Sequence, residues 1–176
     1  PALADGRLTP PDAGVGVLIG SFIALLLFAD RISHGRFDLI VNYTNGHKEE
    51  YRGERTLHLP HDKQIEVVTY SIAGFLGYID NAQHAANLRH LSRLHNVHAV
   101  IIRLRDLFSI DIEGTQMLEE AIAELRRHKK PVYLSSANAV MITHLKKMDG
   151  IRALIDDGFL YPKTSLALEH FRQKTR

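Results

Sequence analysis

Two carboxylates stand two positions apart in the segment Phe108-Ser109-Ile110-Asp111-Ile112-Glu113-Gly114-Thr115. A pair of acids is the usual minimum for general acid–base hydrolysis. Here both fall where a polar loop enters a helix, so their side chains diverge, and no third group joins them. The reading is therefore Asp111 as a helix N-cap and Glu113 as a first-turn acid, the latter worth about 0.3–1 kcal/mol against the helix dipole. No catalytic residue is assigned, and the chain reads as a non-enzyme. Of the 11 histidines, His58 with His61 and His95 with His98 have the i, i+3 spacing of a metal pair. They sit in loops or at helix ends, and the chain has no cysteine to complete a thiolate site. The expectation is solvated histidines, no metal and no cofactor. Gly74-Phe75-Leu76-Gly77 is not a phosphate loop, since it lacks the Lys-Ser/Thr that grips nucleotide and metal. An α/β enzyme would need a pocket with convergent polar groups, and none is readable in the sequence.

The elements that carry these residues start with an apolar run. Ala13 to Ala29 holds 17 residues with no charge and only Ser21 as a polar side chain. That length is at the lower limit for crossing a hydrocarbon core of ~30 Å. Gly14, Gly16 and Gly20 suit close helix approach in a membrane. Asp5, Arg7 and Asp12 precede the run, while Arg31, His34 and Arg36 follow it. The basic residues after the run favour a cytoplasmic C-terminal side. A signal peptide would need a basic start and a small-residue cleavage site, and neither is present. A buried helix of a soluble protein is the competing reading. Thr9-Pro10-Pro11-Asp12 reads as the helix entry, with Asp12 as cap. The start at Pro1, without Met, reads as a fragment. Net charge is +2 and no Lys/Arg run exceeds two residues, which argues against nucleic acid. The basic group Arg126, Arg127, Lys129, Lys130, Lys146 and Lys147 reads as solvated helix ends.

Residues 33–63 form a connector. Phe37 to Thr44 has strand composition, and Asn45-Gly46 predicts a hairpin turn with positive φ at both residues. His47 to Leu59 returns as an exposed strand. From residue 64 onwards strands and helices alternate, as crossover helices on a largely parallel sheet require. The strands are Ile65–Tyr70, a short strand or bend at Gly74–Tyr78, Ala99–Leu104, Pro131–Ser135 and Phe159–Tyr161. The helices are Ala82–Leu94 capped by Asp80 or Asn81, Ile112–His128, Asn138–Met148 stopped by Gly150, and a last one from a Thr164 cap through Phe171. The domain order is thus 1–12, an N-terminal segment; 13–32, a transmembrane-type helix; 33–63, the β-hairpin connector; and 64–176, the α/β domain.

The order over residues 64–174 resembles the STAS domain, the module first known in anti-sigma factor antagonists. The resemblance rests on the opening strand with Gly74, the apolar strand Val100–Leu104, the loop Phe108–Gly114, the strand after Pro131 and Gly150 with its turn. The family loop reads Asp, any residue, Ser or Thr, Gly; here it is Asp111-Ile112-Glu113-Gly114. In the antagonists that Ser or Thr is phosphorylated. Glu113 stands in its place, so a phosphorylation switch is not expected there. An apolar span followed by such a domain resembles the C-terminal end of SulP-family anion transporters. That resemblance implies a STAS-like, mixed and largely parallel sheet, and transport of sulfate, bicarbonate or a similar anion by a membrane domain upstream. It implies a regulatory and interaction role through Ser109, Asp111, Glu113, Gly114 and Thr115. The implied partners are the membrane domain, a second copy and a regulatory protein. The implied location is the cell (inner) membrane, in a multi-pass parent with this domain on the cytoplasmic side. The alternative is a soluble signalling module similar to an anti-sigma factor antagonist.

Overall fold

The computed structural model describes residues 10–33 and 35–176. The expectations placed on Asp5, Arg7, Thr9 and His34 lie outside the described residues. Two compact units divide at His34, and Gly35–Arg176 is the folded domain. In the first unit, α1 spans Pro10–Ser33. At 1.5 Å per residue its 24 residues reach about 36 Å, enough to cross a bilayer core. Its window Asp12–Ala29 is long and apolar enough for that, and none of it is buried. The helix begins two residues ahead of Asp12, which lies in the first turn and is not the cap. Proline fits that first turn because its missing N–H has no intrahelical partner there.

The domain is built on a six-stranded sheet in the order β2-β1-β3-β5-β7-β8. Its strands are β1 Phe37–Tyr43, β2 Lys48–Glu54, β3 Ile65–Ile72, β5 Val100–Arg103, β7 Val132–Ser135 and β8 Leu160–Tyr161. A separate two-stranded piece pairs β4, Gly74–Leu76, with β6, Leu107–Ile110, in parallel. The helices are α2 Tyr78–Arg93, α3 Ile112–Arg127, α4 Ala139–Leu145, α5 Asp149–Asp156 and α6 Thr164–Thr175. Strands β3, β5, β7 and β8 pair in parallel, while β1 is antiparallel to both β2 and β3. The sheet is therefore mixed and largely parallel, as expected.

The hairpin β1–β2 belongs to this sheet. Phe37, Leu39, Val41 and Tyr43 alternate into the core, and β2 forms a charged, exposed edge that discourages edge-to-edge pairing. The turn differs from the expected one. Gly46 is left-handed at φ 89° but Asn45 is not. Tyr43 N–H donates to the His47 carbonyl at 2.8 Å, which closes a three-residue loop. The Asn45 side chain accepts from the His47 N–H at 2.9 Å, so it stabilises the turn without needing positive φ itself.

One sheet face is covered by α2, α3 and α5 over a large apolar core that includes Tyr70, Leu88, Leu91, Leu118, Leu125 and Leu154. On the other face, α6 lays Ala167 and Phe171 against Val67, Ile101 and Tyr133. Three boundaries depart from the periodicity. Helix α2 starts four residues before Ala82, at Tyr78, with Gly77 as N-cap and no side-chain cap. Asp80 instead accepts the Gly35 N–H at 3.0 Å. The expected Asn138–Met148 helix is the short α4, followed by a separate helix α5. Gly150 does not stop a helix but lies in the first turn of α5, where its N–H donates to the Glu119 carboxylate on α3 at 2.8 Å. Thr164 is the first residue of α6, not its cap, because its hydroxyl is held by Ser135 at 2.9 Å.

Candidate functional site

The expected interaction segment runs from the end of β6 into the first turn of α3. Its geometry is fixed by the β4–β6 ladder. Phe75 pairs with Ser109 and Leu76 with Ile110, and the Asp111 N–H donates to the Leu76 carbonyl at 3.1 Å. The chain then turns into α3 through a complete N-cap. The Asp111 carboxylate accepts the Gly114 N–H at 2.6 Å, and the Thr115 hydroxyl donates back to the Asp111 carbonyl at 2.8 Å. Gly114 is buried beneath β4, where a Cβ would come within 2.4 Å of the Leu76 carbonyl oxygen. Only glycine allows that approach of backbone to backbone.

The five expected residues thus divide by task. Asp111, Gly114 and Thr115 shape the helix start. Glu113 is exposed on the first turn of α3, and Ser109 is half-buried on β6. Asp111 and Glu113 do not converge on a common point: the first is spent on the cap and the second faces outward. Among the described residues no group of three or more His, Cys, Asp and Glu side chains could hold a metal ion.

The surroundings add what charge and motif spacing did not show. Outside α1 and apart from Leu166 on α6, the large exposed apolar side chains of the described residues stand on β4, β6 and the starts of α2, α3 and α4. Phe108 is 74% exposed and Ile112 75% exposed, with Phe75, Tyr78, Ile79 and Val140 on the neighbouring elements. Phe108 and Val140 line one shallow cleft together with Ser109 and His144. Ile112 and Glu113 line the next, with His144, Lys147 and Met148. The signal was present in the sequence as apolar residues at strand and helix ends, where the periodicity of a core stripe does not account for them. Apolar surface collected in one region of a folded domain marks a contact site.

The STAS domain family model matches residues 57–160. No curated protein matches the sequence. Among solved structures, the murine Slc26a9 anion transporter in its inward-facing state aligns over 90% of this chain and 26% of its own, with 10% identity and a TM-score of 0.64. The chain therefore spans about a quarter of that transporter. The STAS domain of a SulP transporter from Vibrio cholerae aligns over 67% of this chain and 87% of its own, at 25% identity and a TM-score of 0.53. A sulfate transporter family protein from Wolinella succinogenes aligns over 61% of this chain and 84% of its own, at 21% identity and a TM-score of 0.50. The likenesses at 10% and 21% are likenesses of fold. The matched family model covers more than half of the chain and takes in strands β3 to β7, the capped α3 start and the clefts beside it, and the chain belongs to the STAS-domain family.

Proposed function

We propose that this chain is the C-terminal part of a SulP-type secondary anion transporter, and that its STAS domain regulates transport by contact. The observation that carries this reading is the apolar end of the domain, around Phe108, Ile112 and Val140. Two further features support it: α1 has the length and apolarity of a membrane span, and structures similar to this chain include those of a SulP transporter STAS domain and an anion transporter. The occupant of the apolar end is the transporter's membrane domain. A contact made in one transport conformation and not in another shifts the balance between them by its differential free energy. On this reading the transported ion, sulfate or bicarbonate or a similar anion, binds in the membrane domain and not here. Glu113 is a permanent charge beside that contact, where a phosphorylatable residue would give a switch.

The test uses the parent protein reconstituted in liposomes. Phe108→Asp with Ile112→Asp places two charges on exposed positions, where substitutions leave folding stability within about 0.5 kcal/mol. Radiolabelled sulfate and chloride uptake is then measured at matched protein level. Altered uptake, with the domain still folded by circular dichroism, supports the contact. Unchanged uptake with unchanged protein level removes it. The soluble signalling alternative predicts instead that the parent reading frame contains no further membrane spans.

A further inference from the structure

An open crevice lies at the carboxyl ends of the parallel strands β5 and β7, lined by Arg103, Arg105, Ser136, Asn138, Lys163 and Thr164 among others. The register places Arg103 beside Ser135, and the Ser135 hydroxyl bonds that of Thr164 at 2.9 Å. The end of β5, the end of β7 and the start of α6 are thereby held together.

Three cationic side chains line this crevice and no carboxylate does. Arg103 donates from Nε to the Ser71 hydroxyl at 2.6 Å, a neutral partner that fixes the stem without neutralising the charge. Among the described residues, neither Arg103 nor Lys163 has an ion-pair partner. Glu50 on β2 feels the Arg103 charge, but Lys48 already holds it at 3.0 Å. Arg105 meets Asp106 at 3.5 Å on the exposed rim. Gathering like charges without counter-charges costs energy unless an anion joins them. Planar guanidinium groups grip tetrahedral oxyanions through paired N–H donors, and a lysine adds a mobile point charge.

We propose that this crevice binds a phosphate-type oxyanion, either a small free phosphate or the phosphate of a lipid headgroup, through Arg103, Arg105 and Lys163. The Ser136 hydroxyl and the positive end of α6 complete the cradle. The site adjoins the apolar end of the domain, with which it shares Asn138. It does not depend on the transporter reading.

The experiment is a titration of pyrophosphate into the 176-residue chain in neutral detergent micelles. It is followed by backbone amide shifts at Ser136 and Thr164 and by calorimetry. The expected result is saturable one-to-one binding. Lys163→Gln and Arg105→Gln, both at exposed positions, weaken it at least about tenfold each, as loss of a charged hydrogen-bonding partner does. Arg52→Gln, on β2, leaves it unchanged. A second arm places the chain in phosphatidylcholine nanodiscs with and without phosphatidic acid. Shifts at the same amides only with phosphatidic acid, lost in the same variants, identify a headgroup as the source. Pyrophosphate binding identifies a free ligand. No saturable response in either arm, or equal binding by Lys163→Gln, Arg105→Gln and the unaltered chain, overturns the site.

Discussion

Gly114 is the residue on which the start of α3 depends most directly. A methyl group there would meet the Leu76 carbonyl oxygen at 2.4 Å and the Leu76 carbonyl carbon at 3.0 Å, both backbone atoms of β4. Neither can swing aside as a side chain could. Gly114→Ala therefore costs about 1–3 kcal/mol, the range for overpacking a fitted interior. Urea unfolding of the Gly35–Arg176 unit measures it, and a loss below about 0.5 kcal/mol would show that β4 gives way freely. His84 makes a second prediction, one of pH. It is buried on α2, and its Nδ1 faces the Tyr70 hydroxyl at 2.6 Å. Asn87 donates to that same hydroxyl oxygen at 3.0 Å. A neutral His84 can accept the Tyr70 proton at Nδ1 while the phenol oxygen accepts from Asn87. Burial pulls the His84 pKa down to about 4 from an ordinary 6.5. The unfolded chain takes up a proton near 6.5 that the folded chain refuses until about 4. The His84 contribution is thus complete above pH 6.5 and is lost as pH falls from there towards 4. Between pH 7.5 and pH 5.0 the loss is about 2 kcal/mol in the unaltered domain, and His84→Gln removes most of that slope. Equal slopes in the two proteins would sink the assignment.

At the scale of elements, the end of α3 shows a conformational cost that substitution can relieve. The helix closes with the Lys130 N–H on the Leu125 carbonyl at 3.0 Å and the Lys129 N–H on Arg126 at 2.9 Å. This closure puts Lys129 at φ 59°, a region that favours glycine. Lys129→Gly should raise stability by about 0.5–1 kcal/mol, the left-handed strain of a non-glycine residue less the added chain entropy. A higher urea midpoint with unchanged slope would confirm it; a lower midpoint would mean that the Lys129 side chain matters more than its backbone. The same elements show what could be read from the sequence. Helix α3 was legible because Met117, Leu118, Ala121, Ile122 and Leu125 repeat at helical spacing and all face the core. Strands β5 and β7 were legible as short apolar runs between turn signals. Strand β6 was not, because Leu107–Ile110 pairs only with β4 and exposes Phe108, so it has neither a continuous apolar run nor alternation. The division of α4 from α5 was also hidden. It depends on Gly150 reaching Glu119 on a different helix, a contact that local spacing does not encode. The capping role of Asp111 was readable from position alone. The apolar surface around it was not, since exposure is decided by which elements meet.

For the molecule as a whole, the proposed transporter reading puts the domain on the cytoplasmic side of a membrane. Helix α1 supplies an 18-residue apolar window, and Arg36 is the second residue of the domain that follows it. Positive charge after a span is retained on the cytoplasmic side, which is the orientation proposed here. The chain has no cysteine, so a single introduced thiol reports its own location without background. Gln173 suits this purpose: it is exposed near the end of α6, and its side chain takes no part in the hydrogen bonds that Arg172 makes to Glu66. In the parent transporter, Gln173→Cys should react with a membrane-impermeant maleimide in inside-out vesicles and remain unlabelled in intact spheroplasts. Detergent permeabilisation of the spheroplasts should then restore labelling, which establishes that the thiol is intact and reactive. Labelling in intact spheroplasts would place the domain outside. It would also end the regulatory reading in its present form, because Phe108 and Ile112 could no longer meet the cytoplasmic face of the membrane domain. Labelling confined to the inside-out preparation leaves the apolar end of the domain on the side where the cytoplasmic face of the membrane domain, its proposed occupant, can meet it.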